Sequence, residues 1–577
     1  MRSERSGVVV NQFQGSLLVL VGLGGFWACE DAAPANGRAD ASGYVAEMDS
    51  AVDSGAMDAA PGHAMDAIVD AAIPDQTATQ AVFYDPEVVQ EIELVIAPAD
   101  RQAMFDALPE RVYVPAVFRW RDIELANVGV RFKGNSSSSP DAWWKRSLLV
   151  KFGEFEDGQR FLGLRRVALD NAVQFGSVFS ERLLTDVLRA EGVKCSRANY
   201  ARVTINGVSD GLFVNVERID KSFLERVFGN RDGVLYKNHE GGPGSDLTVL
   251  SMASDYAASF EPKTHKDEGD FSEILALARL LRDTPDAALE ETLEAAFELD
   301  PFLRLMAVMV FGGAFDQYTG MGPHNFYLYR DPPTGRMHYL VWDLDVGFAD
   351  NAFGRVPVID AWDASWPVLQ RPRPLIERIL DNPALRARYL AHADRILETY
   401  FRPEDMGAAL DALYAQARPI LDTDPYPPRR VTVSTDRGYP SIVASQKAFM
   451  ARRYETARIQ LDNPSTEDPG DRGPMPGAPG PDDPTDLRVD AVDARGIHLS
   501  WTDNSDREGL TVIQRCEGPG CEGFRNHVGV EPHEPPRRID ERLRSGRTYR
   551  YRVYAAWPTP DGPQGSGLSN VVEAVAE

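Results

Sequence analysis

Cysteine is scarce: four in 577 residues, too few for a disulfide-built scaffold. Positive charge is short as well. Lys and Arg together number 61 against 87 Asp and Glu, a formal charge of −26. That balance excludes a chain built to bind nucleic acid, which presents a basic face, and loose docking on anionic lipid. One apolar run near the N-terminus is all there is to suggest a membrane segment, which excludes a multi-pass membrane protein. The nine histidines show no zinc spacing. No Gly-x-Ser-x-Gly elbow is present, so the hydrolase nucleophile it marks is not expected.

What is present divides the chain into five parts. Residues 1–29 combine Arg2 and Arg5 with the apolar core Leu17–Val21, as an export signal does. Ala28-Cys29 resembles a bacterial lipoprotein cleavage site, which would make Cys29 the lipidated first residue and a membrane anchor. A plain cleaved signal is the alternative. Residues 30–85 are rich in Ala and Asp and poor in large apolar side chains. They are expected to form a disordered stalk, since ordering them would bury little to offset the entropy lost.

Residues 86–465 contain strand-like runs first (Val88–Ile96, Val112–Phe118, Val128–Phe132, Ser147–Phe152, Val167–Leu169). A helix is expected over Ser177–Ala190, then a hairpin turning at Asn206-Gly207. Helices are expected over 272–283, 285–298, 301–313, 374–400, 403–421 and 440–461, several opening on proline. This is an α+β layout. Residues 466–482 read as a Pro/Gly linker. Residues 483–577 read as short strands of an all-β sandwich. There, Trp501 and the pair Leu543 with Tyr549 resemble the core and corner of a fibronectin type III domain. Cys516 and Cys521 flank Glu-Gly-Pro-Gly; a small-loop disulfide is expected after export, with two free thiols as the alternative. Cys195 reads as a buried thiol.

The most informative stretch is 311–348. A helix leads to Asp316, a loop closes at His324-Asn325, and two strands flank a Pro-Pro-Thr-Gly turn before Asp343-Leu344-Asp345. With Arg330 opposite Met337, Asn325 faces Trp342, so Asn325 and Asp343 should meet at the hairpin's open end. Two carboxylates and an amide oxygen at one point suit Mg²⁺. The order of Asp, Asn, hairpin and Asp is that of a kinase, although the spacing and the missing His-Arg exclude an ordinary protein kinase. The structural alternative is a hairpin whose aspartates cap neighbouring backbone.

Other segments extend the pattern: Val128–Ser137, Lys145–Phe152, Phe161–Leu164, Gly211–Glu217 and Gly233–Lys237. Together with His324–Tyr329 and Trp342–Asp345, residues 88–460 resemble the spore coat protein H (CotH) kinase family. The resemblance implies a diverged, atypical kinase-like fold that transfers the γ-phosphate of ATP to protein Ser or Thr with Mg²⁺ or Mn²⁺. Asp316 matches the family's catalytic aspartate; Asn325 and Asp343 match its metal ligands. Asp345 is the other candidate, because Asp345-Val346-Gly347 imitates the kinase Asp-Phe-Gly. For the nucleotide, Arg131 and Lys133 run into a Gly/Ser loop, Lys151 stands on a strand where Glu181 could orient it, and Lys237 is a further contact. Each has a bland alternative as a solvated surface charge. Trp143-Trp144 reads as packing.

Expected partners are therefore a Ser/Thr-bearing protein, of the surface or a coat, and a membrane through the lipid; the expected location is the cell envelope or surface. A surface adhesion or interaction protein that kept the fold and lost activity is the competing reading. A polymer-degrading enzyme ranks third, lacking a recognisable carboxylate pair of its own.

Overall fold

The computed structural model describes residues 76–134, 138–140, 144–171, 178–239, 242–352, 356–369, 372–426, 428, 438–465, 477–505, 510–521, 524–530, 534–541, 543–557 and 564–577. Cys29, the signal and the stalk to residue 75 lie outside them, as do Ser136 and Ser137. Among the described residues, no helix is long and apolar enough to cross a membrane.

Seven of the described strands close a barrel: β1 Gln90–Ile96, β2 Val114–Trp120, β3 Ile123–Lys133, β4 Ser147–Lys151, β5 Arg166–Asp170, β6 Ala198–Ile205 and β7 Val208–Val216. Their order is β1-β2-β3-β4-β5-β7-β6, and β1 closes the ring by pairing parallel with β6, Gln90 opposite Ala201. Alternation drives this arrangement. In β1 and β2 every second residue is buried. Val128, Val130 and Phe132 of β3 join Phe118, Phe161 and Phe213 inside, while Lys133 stands on the other face. The β6–β7 turn is the expected Asn206-Gly207, both at positive φ (53° and 77°), as a two-residue hairpin turn requires.

A helix over Gln76–Phe83, within the segment expected to be stalk, brings Phe83 to the barrel core. Its ring lies 4.9 Å from Phe161 and 5.5 Å from Trp120. The folded region therefore starts by Gln76 and not at 86. One aromatic among Gln, Thr, Ala and Val gives little periodicity to read.

The barrel's outer face packs on the helical half. Leu149 and Ala168 join a core that also takes in helix Ser180–Ala190, helix Leu299–Gly312 and helix Tyr439–Asp462. A second antiparallel sheet runs in the order β11-β10-β8-β9, made of β8 Leu235–Asn238, β9 Phe260–Pro262, β10 Phe326–Asp331 and β11 Arg336–Val341. The expected helix 374–400 is two: Pro383 starts the second, and Asn382 caps it by accepting from the amides of Ala384 and Leu385. Residues 285–298 hold a 3-10 turn at Asp286–Ala288, then helix Leu289–Ala296.

The C-terminal region is all β. Thr485–Asp493, Gly496–Thr502 and Arg537–Asp540 form one antiparallel sheet; Leu510–Glu517, Arg525–Val530 and Thr548–Trp557 centre the other. Trp501, Tyr551 and Val553 fill its core. Cys516 and Cys521 are joined in a disulfide, with Cα atoms 6.0 Å apart. Cys195 is buried, and burial pushes its thiol up to about 12, which leaves it inert.

Glu217, at the exit from the barrel, is buried between Arg197 (2.7 Å) and Arg226 (2.6 Å) and accepts from the Arg197 amide as well. Burial alone would raise its carboxyl; the two arginines outweigh it and hold it at about 2. Glu217→Gln should cost about 3–5 kcal/mol at neutral pH, because two guanidinium groups lose their counter-charge. A depressed carboxyl stabilises fully above its unfolded value, and that gain disappears as pH falls from 4.5 toward 2. Urea titrations should therefore show the gap between wild type and variant closing across that window. A gap independent of pH would show that the ion pairs contribute nothing.

Candidate active site

The site begins where helix Leu299–Gly312 stops. Gly313 takes a left-handed conformation (φ 61°), and a Cβ there would lie 2.7 Å from the Phe449 ring. The reversed chain carries Asp316 into a loop toward the hairpin. Gln317 ties that loop down, its Nε2 donating to the carbonyls of Trp342 (3.0 Å) and Asp343 (2.8 Å). The hairpin has the expected register: Arg330 faces Met337, Phe326 faces Val341, and the Trp342 amide donates to the Asn325 carbonyl at 2.9 Å.

Asp316, Asn325 and Asp343 accordingly lie at one hairpin end. Asn325 Nδ2 donates to the Asp316 carbonyl (2.9 Å) and to its Oδ2 (3.3 Å), and the Asn325 amide oxygen accepts no hydrogen bond among the described residues. His324 Nε2 sits 2.8 Å from Asp316 Oδ1. Asn325 and Asp343 both hold positive φ, 59° and 64°. Asp345 follows, and Gly347 beyond it packs on the end of helix Leu299–Gly312, where the Phe348 amide donates to the Gly312 carbonyl at 2.7 Å.

Charge in this place is unbalanced. Burial raises the Asp343 carboxyl, and Asp170 and Asp316 add to it against the pull of Lys133 and Lys237. Asp345 stands well above the ordinary value through burial and then through Asp343, Asp170, Asp316 and Glu181. Burial, Asp343 and Asp170 push Glu181 up to about 8, although its Oε2 accepts the Leu344 amide at 2.6 Å. Asp316 differs. Burial works to raise it, but His324 and Asn325 outweigh burial and hold it below its ordinary value, so it stays ionised. On the basic side, Lys133 pairs with Asp170. Burial, then Arg218 and Lys263, bring Lys237 down to about 8. Five carboxylates thus face Lys133, Lys237 and Arg218.

The lysine expected to meet Glu181 is corrected by the structure. Lys151 pairs with Glu154, and Lys133 is the lysine that faces Glu181 and Asp343. Register decides this. Lys133 lies opposite Ser147 and Lys151 opposite Gly129, four residues further along β4, or about 13 Å. Arg131 is also apart, its guanidinium 5.1 Å from the Tyr113 ring that Lys151 faces at 5.6 Å.

Three residues of the site escaped the sequence reading. Asp170 offers one local signal, a carboxylate ending the apolar strand Val167–Leu169. His324 adjoins Asn325 in sequence. Arg218 had no local signal. It follows the last barrel strand, its guanidinium lies 4.6 Å from the Trp342 ring, and its buried Nε has no hydrogen-bond partner among the described residues.

The donor set fits a hard divalent cation. Oxygen donors predominate, and a 2+ charge would relieve the repulsion that raises Asp343 and Asp345. Asn325, Asp343 and Asp345 are the residues suited to hold it. Among the described residues, no three His, Cys, Asp or Glu side chains are gathered at ligand spacing.

With this geometry in view, the comparisons with known proteins identify the family. The family model described as CotH kinase protein matches residues 130–455, more than half of the chain, and the chain belongs to that family. It is 23% identical to the inner spore coat protein H of Bacillus subtilis (strain 168) over 336 residues, 58% of this chain and 88% of that protein. It is 28% identical to the invasin CotH3 of Rhizopus delemar over 319 residues, 53% of this chain and 51% of the invasin. The FN5 domain of Drosophila Lar aligns with 17% of this chain at 24% identity and a TM-score of 0.14, too low to bear on the fold.

Mg²⁺ or Mn²⁺ should raise the melting temperature of the protein above its value in EDTA, because a cation held by the folded state alone stabilises it. Asp343→Asn should shrink that rise. An equal rise in the variant would remove Asp343 from the cation's ligands.

Proposed function

We propose that this protein is an exported, surface-tethered atypical protein kinase that transfers the γ-phosphate of ATP to Ser or Thr of a protein. The observation that carries this reading is Asp316. It is kept ionised by His324 and Asn325 and stands at the hairpin end that also holds Asp343, in a chain of the CotH kinase family. An ionised carboxylate of this kind can orient an acceptor hydroxyl and take its proton as that oxygen bonds to the γ-phosphorus and ADP leaves. Asn325, Asp343 and Asp345 would hold Mg²⁺ or Mn²⁺, which supplies charge neutralisation of the phosphates. Lys133, Lys237 and Arg218 are the cations placed to meet phosphate oxygens. Glu181, hydrogen-bonded to the Leu344 amide, fixes the segment between the two aspartates.

Surface placement draws support from the names of relatives, one a spore coat protein and one an invasin. Cys29 as a lipid anchor rests on its Ala-Cys context. A fibronectin type III-like sandwich at the C-terminus draws support from Trp501, 3% exposed in the core, and from Tyr549, whose hydroxyl accepts the Arg544 amide at 2.9 Å. The invasin relative also favours a second reading, an interaction protein on the same fold.

The deciding experiment incubates the protein with labelled ATP, Mg²⁺ or Mn²⁺ and a serine-rich acceptor. Asp316→Asn should bind nucleotide nearly as well as wild type and transfer about a hundredfold or more slowly, the scale of a positioned base. Asp343→Asn should weaken metal-dependent nucleotide binding. Wild-type protein that neither binds ATP nor labels itself or the acceptor would leave the interaction reading in its place.

A further inference from the structure

A second charged place, of opposite sign, lies further along the barrel's outer face. The loop after β4 and the first residues of β5 enclose a cavity of about 230 Å³ lined by Lys151, Asp157, Arg160, Arg165 and Arg166 together with two glycines. Arg166 begins β5 and Asp170 ends it, four residues on, so the cavity stands about 13 Å from the carboxylate cluster. It is distinct from the site described above.

Four of its lining side chains are cations and one is a carboxylate. Two of the cations have counter-charges outside the cavity: Lys151 pairs with Glu154, and Arg166 lies 3.9 Å from Asp220. Arg160 and Arg165 pair with no carboxylate among the described residues; Arg160 only donates to the Gln159 carbonyl at 2.6 Å. Burial, and then Arg160, depress the Arg165 guanidinium; Asp220 opposes them, and Arg166 and Arg231 add less. Cations are thus crowded against one another in a chain whose formal charge is −26 and which has carboxylates to spare. An anion placed among these cations would be drawn by all four.

The size and chemistry narrow the ligand. The cavity falls below the range of about 300–1,000 Å³ usual for whole small-molecule ligands. It suits one anionic group carried on a larger molecule. The Arg165 guanidinium, and the N–H groups of Arg160 not given to the Gln159 carbonyl, match a tetrahedral dianion as donors to its oxygens.

We propose that this cavity binds a phosphate monoester presented by a polypeptide, the side chain of a phosphorylated Ser or Thr. The site does not depend on the kinase reading, since its cations are present whether or not the carboxylate cluster transfers phosphate. If both hold, the protein grips phosphoprotein at one place and makes it at another.

The test uses the full chain with no nucleotide or divalent metal, so the outcome at this site is separate from any outcome at the other. A fluorescent peptide with one phosphoserine is titrated beside its unphosphorylated twin, with inorganic phosphate as competitor. The phosphopeptide should bind at least tenfold more tightly than the twin. Arg160→Ser with Arg165→Ser should abolish that preference and leave the melting temperature unchanged, since neither side chain supports another charge. Asp157→Asn, which removes the one lining carboxylate, should tighten binding. Equal binding of both peptides, or a preference that survives the double substitution, would overturn the proposal. Binding of inorganic phosphate without preference for the phosphopeptide would overturn the polypeptide assignment and make this a free-phosphate site.

Discussion

Crowded carboxylates at the end of one hairpin are the constraint on which the rest of this molecule depends. Asp343 and Asp345 are held where burial and neighbouring acids oppose their ionisation. Left to itself, such a segment would swing its charges into water. It stays because several elements hold it. β3 and β5 bring Lys133 and Asp170 from above, and helix Ser180–Ala190 brings Glu181 to the Leu344 amide. From below, Arg453 of the long helix Tyr439–Asp462 donates to the carbonyls of Val310, Ile359 and Trp362 and fixes the end of the helix that launches Asp316. The free energy that packs the helical half is thus used in part to keep unfavourable charge in place, a common price of a functional site.

The hairpin was legible in the sequence for a definite reason. Its turn sits between two alternating apolar runs, and once one cross-strand pair is chosen the period of two places every other residue. That was enough to bring Asn325 beside Asp343. Barrel closure was not legible, because β1 pairs parallel with β6 across more than a hundred residues, and no local pattern records that contact. The same gap explains the choice between Lys133 and Lys151. Both lie on the barrel's outer face, each beside apolar residues, and the register with the neighbouring strand alone separates them. Arg218 could not be found at all, since its meaning lies in the Trp342 ring, distant in sequence.

The two charged places also share a scaffold. Lys133 and Lys151 lie on paired strands, Asp170 and Arg166 on the same one. A closed barrel is stiff against shear because every strand is hydrogen-bonded on both sides. The strands thus fix Lys151 and Arg166 relative to Lys133 and Asp170, while Asp157 and Arg160 of the basic cavity ride on the loop after β4.

The left-handed backbone at Asn325 and Asp343 restricts the alphabet that evolution can use there. Most L-residues incur roughly 1–2 kcal/mol in that conformation, whereas Asn and Asp enter it more readily. At each position, then, the smallest inherited step is an exchange of amide for carboxylate, which alters charge by one while leaving the chain path alone. Lineages of this fold can tune or silence the cluster through that exchange without disturbing how the protein folds. In such a lineage, the identity of two residues would record the history of the activity more faithfully than the shape around them.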